Sequence, residues 1–217
     1  MGDDLMVRPN RVPLWLKLAY TLFVAVLVPV YWHHYTPLNF LYFCDVALLM
    51  TVPALWLESG YLASMMALSI TLPQLLWQID FIVFPLCGRH FPMDLTGYMF
   101  DPNRSLFLRG LSFFHFWLPI LLLWMVWRLG YVRQAIFAQI GFCWLVLLLS
   151  YLFTSDINAP AGNVNKVLGM GEDKPQTDMP PLQWLAILML VAPAAFYVLP
   201  HVVFCIVMPR PRREAVR

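Results

Sequence analysis

Six stretches of this chain, roughly residues 14–32, 38–57, 62–84, 107–129, 132–153 and 183–208, are almost uninterrupted runs of apolar side chains. Each is long enough, or nearly so, to cross ~30 Å of hydrocarbon at ~1.5 Å per helical residue. Inside hydrocarbon every backbone N–H and C=O must find its partner within the protein, and a helix does so locally. The chain is therefore expected to be an all-α, polytopic integral membrane protein. One six-span transmembrane domain would occupy residues 1–217, with a polar extramembrane connection at about 154–182. Composition agrees: 61% of residues are hydrophobic and 12% charged, where soluble domains carry about 25% charge.

The formal net charge of +2 is small, and the basic residues are scattered through loops and ends. This argues against a nucleic-acid partner. Arg8, Arg11 and Lys17 precede or begin the first apolar run, as in a signal peptide, but the run exceeds a signal core. Trp32, His33 and His34 follow it in place of a small-x-small cleavage site. It is read as a mature helix. With six spans, Arg8, Arg11, Lys17, Arg128, Arg133, Arg210, Arg212, Arg213 and Arg217 share one side, against Arg89, Arg104, Arg109, Lys166 and Lys174 on the other. That bias places both termini in the cytoplasm, consistent with a plasma or inner membrane.

Four side chains that hydrocarbon should exclude interrupt the apolar runs: Cys44, Asp45, Asp80 and His115. Alternating helix directions bring Cys44, about six residues into its segment, and His115, about eight into its own, toward the same face of the membrane. Their depths would be ~9 Å and ~12 Å. Asp80 approaches that face ~6 Å before its helix ends. Ionisable groups at such depth are costly enough to suggest a functional site.

A free cysteine in an apolar helix is more often a small buried hydrophobe than a nucleophile, and Cys44 can act only with a base nearby. His115 is the candidate base. Pro119, four residues later, cannot coexist with an undisturbed carbonyl at His115, so the helix should kink and leave room beside the imidazole. The competing reading is a histidine that only bonds a neighbouring helix. Asp45 lies ~100° around the helix from Cys44, so it either supports the same pocket or cross-links helices. Asp80 either orients His115 or pairs with Arg109, and Gln74 and Gln78 share a face of its helix.

The other cysteines, Cys87, Cys143 and Cys205, show no zinc or disulfide spacing. No i, i+4 ligand pair supports a metal, no glycine-rich phosphate loop points to a cofactor, and no GxSxG elbow offers a serine nucleophile. The connection from Thr154 to Pro175 contains Asp156, Asn158, Asn163, Asn165, Pro160, Gly162 and Gly169, which favour turns. It is an ordinary solvated loop or a lid, and the apolar stretch from Val164 to Met170 could pack it on the helix ends.

Two short patterns, Asn39–Asp45 and His115–Pro119, carry a resemblance to the androgen-induced-gene membrane hydrolases and the related transmembrane protein 164 acyltransferases. The segment from Asn163 to Pro175 resembles the second group more loosely, by its asparagines and Lys-Pro ahead of the last helix. The resemblance implies a membrane-embedded lipid acyltransferase or ester hydrolase. The hydrolases use threonine at the position that Tyr42 fills here. The acyltransferase branch uses cysteine and histidine, which implies Cys44 and His115 as the catalytic pair. Asn39 or Asn163 would then steady the oxyanion, and a membrane lipid would be the substrate. The alternative is a non-catalytic transporter or assembly subunit whose polar groups serve packing or solute binding.

Overall fold

The computed structural model describes residues 12–154, 162–171 and 174–211. Its helices are α1 (Leu14–Tyr35), α2 (Phe43–Trp56), α3 (Gly60–Cys87), α4 (Gly97–Phe100), α5 (Leu106–Leu111), α6 (Phe114–Leu129), α7 (Ala135–Phe153) and α8 (Pro181–Val207). Short 3-10 turns at Pro37–Leu41 and Val164–Lys166 complete them, and the described residues include no strand. Five helical stretches are long and apolar enough to cross a membrane: Leu14–Tyr35, Gly60–Cys87, Leu106–Leu129, Ala135–Phe153 and Pro181–Val207. The chain is thus an all-helical, multi-pass membrane protein.

Helix α3 is the hub, touching α2, α6, α7 and α8. Its first half supplies Ala63, Ser64, Ala67 and Ser69, all buried, and small side chains let neighbouring backbones approach where lipid offers no hydrophobic drive between helices. Ser59 caps the helix, its hydroxyl accepting from the Leu62 N–H at 3.2 Å. Gly88 ends it in the left-handed region with φ 65°, a conformation glycine adopts without a Cβ penalty. The outward faces carry exposed Leu14, Leu18, Leu22, Leu190, Leu199 and Ile206, as a bundle solvated by hydrocarbon requires.

The segment expected as one span over 38–57 is divided. A 3-10 turn runs to Leu41, Tyr42 is extended at φ −59° and ψ 136°, and α2 then has 14 residues. A helix of that length rises only ~21 Å. The division exposes backbone groups, and Asn165 from the distant connection fills them: its Nδ2 donates to the Leu41 carbonyl at 2.8 Å, and its Oδ1 accepts from the Phe43 N–H at 3.3 Å. Nδ2 also donates to Ser150 Oγ on α7 at 2.9 Å. Val164 and Val167 are buried beside it, so this part of the connection packs on the helix ends, as its apolar residues suggested. Asp156, Asn158 and Pro160 of the same connection lie outside the described residues, as do Arg8, Arg11, Arg212, Arg213 and Arg217.

Replacing Asn165 by alanine should strip partners from two backbone groups at the break, at a cost of about 1–3 kcal/mol. Hydrogen exchange at the Phe43 amide should then accelerate with that at residues 163–168. Unchanged protection of Phe43 in the variant would mean that Asn165 is not the clasp.

Candidate functional site

A cluster of polar side chains gathers where the C-terminal end of α1 meets the N-terminal ends of α2 and α6. Cys44 is the second residue of α2, closer to the helix start than the depth count implied, and its thiol donates to Asp45 Oδ2 at 3.7 Å. Asn39 Nδ2 donates to the same oxygen at 3.2 Å from the preceding turn. Asp45 is buried, and its other oxygen, Oδ1, has no partner. From α1, Tyr31 shares a hydrogen bond of 2.9 Å with Ser112 Oγ, at the break between α5 and α6.

His115 stands one turn beyond that break. Its Nδ1 lies 2.7 Å from the Ser112 carbonyl oxygen. A carbonyl only accepts, so Nδ1 carries the proton and Nε2 keeps its lone pair. Trp77 of α3 stacks on the ring, with centroids 4.6 Å apart and planes 19° from parallel. Pro119 has no N–H to offer the His115 carbonyl, and Gln78 Nε2 donates to that oxygen at 2.9 Å; α6 runs on through Pro119, and the imidazole is buried instead of having open room beside it. Gln78 therefore compensates for the proline from the neighbouring helix.

Cys44 and His115 are not hydrogen-bonded to each other; each is engaged by its own neighbour, Asp45 and Ser112. Tyr98 of α4 lies between them, within electrostatic range of Cys44 and Asp45 and near Ser112 and Trp77, without a hydrogen bond to any of the four among the described residues. Burial holds the Tyr98 phenol above its ordinary range, and the neighbouring Cys44 and Asp45 side chains push the same way. Tyr98 thus presents a neutral O–H to the cluster. The connection carrying it is clamped by Arg104, whose guanidinium lies 5.3 Å from the ring centres of both Tyr98 and Tyr35 and donates to Tyr35 Oη at 3.0 Å.

Asp80 and Asn163 are placed elsewhere than the sequence reading put them. Asp80 neither orients His115 nor pairs with Arg109, which instead donates to the Met99 carbonyl at 3.2 Å. The Asp80 carboxylate, fully buried, accepts from the Phe91 N–H at 2.8 Å, the Leu95 N–H at 3.0 Å, Thr96 Oγ1 at 2.7 Å and His90 Nδ1 at 3.0 Å. It folds the connection that delivers Tyr98. Asn163 serves its own loop, donating to the Gly169 carbonyl at 2.8 Å and the Gly171 carbonyl at 3.4 Å and accepting from the Leu168 N–H at 3.0 Å. It therefore has no free donor to aim at an oxyanion.

Asp80, His90 and Asp94 bring three potential ligand atoms within 4.8 Å of one another. The Asp80 oxygens already hold the backbone of the connection, so the set reads as an anchor.

Sequence reasoning missed Tyr31, Trp77, Tyr98 and Ser112. Tyr31 and Trp77 sit in apolar helices, where aromatics carry no distinguishing pattern. Tyr98 lies in a connection without periodicity. Ser112, three residues before the singled-out histidine, was the one legible from spacing. The chain matches no family model, no curated protein and no solved structure, so its class rests on its own helices and polar cluster: a multi-pass α-helical membrane protein with a polar site at the helix ends.

Proposed function

We infer that this protein is a membrane-embedded lipid acyltransferase or ester hydrolase with Cys44 as nucleophile and His115 as base. The observation that carries the reading is the state of His115. The Ser112 carbonyl fixes the proton on Nδ1, so Nε2 is left as an acceptor with no hydrogen-bond partner among the described residues. A third group that orients the base is the arrangement nucleophilic catalysis requires. The motif resemblance at Asn39–Asp45 and His115–Pro119 supports the same pair.

In this reading the Cys44 thiol turns from Asp45 and gives its proton to Nε2, while sulfur attacks the carbonyl carbon of a membrane-lipid ester. Tyr98 supplies the O–H that meets the developing oxyanion, in place of Asn163. Collapse breaks the ester C–O bond, and the leaving alkoxide takes the proton from Nε2. A second alcohol or water, deprotonated by the same nitrogen, attacks the thioester carbonyl; the C–S bond breaks and the Cys44 thiolate takes the proton back from Nε2. Asn39 holds Asp45, and through it the resting thiol. The turn at Pro37–Leu41 and the 14 residues of α2 together make the sixth crossing in two pieces, and the arginine bias puts the site in the non-cytoplasmic leaflet with both termini in the cytoplasm.

A second reading has its own support: the unpartnered, buried Asp45 Oδ1 suits a solute bearing N–H or O–H donors, as in a transporter. Trapping separates the two. Purified protein in vesicles of phosphatidylcholine with isotopically labelled acyl chains, quenched in acid and mapped by peptide, should carry a labelled thioester on Cys44. Absence of acyl label on Cys44, in protein whose lipid composition also stays unchanged, would overturn the catalytic reading.

A further inference from the structure

At the opposite end of the bundle α8 carries a second thiol–imidazole pair. Cys205 Sγ lies 3.6 Å from His201 Nε2, one helical turn away, and His201 Nδ1 lies 2.7 Å from the hydroxyl of Tyr131. A neutral imidazole has one proton to give. With the thiol donating to Nε2, Nδ1–H donates to Tyr131, and the three groups form a relay with sulfur at its outer end. Tyr131 is itself fixed: its ring is buried, packs edge-on against Phe204 at 5.4 Å, and its N–H donates to the Pro209 carbonyl at 2.7 Å. Arg133 donates to the Cys205 carbonyl at 3.3 Å, which brings a guanidinium to the same turn. A cysteine that served only as packing would need none of this.

The surroundings define what the sulfur can take. Cys205 is half-buried and lies two residues before α8 ends at Val207, where Pro209, Arg210 and Pro211 leave the apolar zone. Val202 and Val198, three and seven residues earlier, share its face of the helix and are about half exposed. The thiol thus sits at the water border of the hydrocarbon, with an apolar track leading inward from it. Juxtamembrane cysteines of this kind are acyl acceptors.

We propose that Cys205 is a site of S-acylation, taking a long-chain acyl group from a soluble acyl thioester with His201 as general base and Tyr131 as the residue that positions it. The Cys205 proton passes to His201 Nε2 as sulfur attacks the thioester carbonyl. A new C–S bond forms, the old C–S bond breaks, and the departing thiolate takes the proton back from Nε2. One thioester replaces another, so no further reactant is needed. The acyl chain lies along Val202 and Val198, and the headgroup of the donor stays in water. This site is separate from the one at Cys44 and stands whether or not Cys44 is catalytic.

The test is timed labelling of the purified full chain in detergent with palmitoyl-CoA, with peptide mapping of all four cysteines. Cys87, exposed and with no hydrogen bond to an imidazole among the described residues, is the internal control. Cys205 should acquire a thioester, released by neutral hydroxylamine, at least about tenfold faster than Cys87. His201→Gln should lower the Cys205 rate by about tenfold and leave Cys87 unchanged, with Tyr131→Phe intermediate. Equal rates at Cys205 and Cys87 in the wild-type protein, or an unaltered Cys205 rate in folded His201→Gln, would overturn the proposal. If His201→Gln does not fold, the wild-type ratio alone decides.

Discussion

Cys44→Ser and His115→Gln should each abolish lipid acyl turnover while leaving a folded protein. A positioned general base contributes about 10²–10⁴ in rate, equivalent to roughly 3–5 kcal/mol of barrier. Glutamine at 115 keeps a side-chain donor for the Ser112 carbonyl but offers no proton acceptor matched to a thiol. Its structural cost should stay near the ~0.6–2 kcal/mol typical of a hydrogen bond between membrane helices. Serine at 44 keeps the contact with Asp45, so folded yield should match wild type. Measured together, thermal stability and turnover move apart if the pair is catalytic. Purified variants that retain full lipid-remodelling activity would end that reading, and variants that lose yield in step with activity would assign both residues to packing.

Much of this architecture was legible because hydrocarbon imposes a single rule: long apolar runs become helices. The boundaries of α1, α3, α7 and α8 fall within a few residues of the runs that announced them. The exceptions have local physical causes. The run over 38–57 contains no polar residue that marks its division at Tyr42, because the residue that stabilises the break, Asn165, is more than a hundred positions away. Pro119 marked the His115 carbonyl as one that needs another donor, whereas the donor, Gln78, could not be chosen from Gln74 by spacing alone. Here the partner comes from another helix, and sequence periodicity reports only one helix at a time.

The candidate site shows the same division. Cys44, Asp45 and His115 were singled out because charge and polarity are rare in apolar helices, and Asn39 by the motif resemblance; Asn39 and Cys44 meet at Asp45, while His115 is held by Ser112. Asp80 met the same criterion for a different reason. Its depth is expensive, and the donors it collects offset that cost by folding the connection above it. An intramembrane acid therefore signals a strong structural demand as readily as chemistry, and only its partners distinguish the two.

That distinction makes Asp80→Asn the second large effect. The carboxylate faces two backbone N–H groups, a threonine hydroxyl and an imidazole. An amide replaces one acceptor oxygen by an NH₂ that points at donors, leaving buried N–H groups unpaired at a cost of about 3 kcal/mol or more. The loss should be local. Residues 88–105 should loosen, the amides of Phe91 and Leu95 should exchange rapidly, and Tyr98 should leave the cluster, so turnover falls although Cys44 and His115 are intact. Asp94→Asn is the matched control, because Asp94 is exposed and, among the described residues, its Oδ1 accepts from the Gly97 N–H at 2.7 Å and approaches His90 at 3.5 Å. It should leave Phe91 and Leu95 protected. Protection at those two amides in Asp80→Asn equal to wild type would show that the connection is held by something other than this carboxylate. Rapid exchange with undiminished turnover would separate Tyr98 from the chemistry and return the oxyanion to another donor.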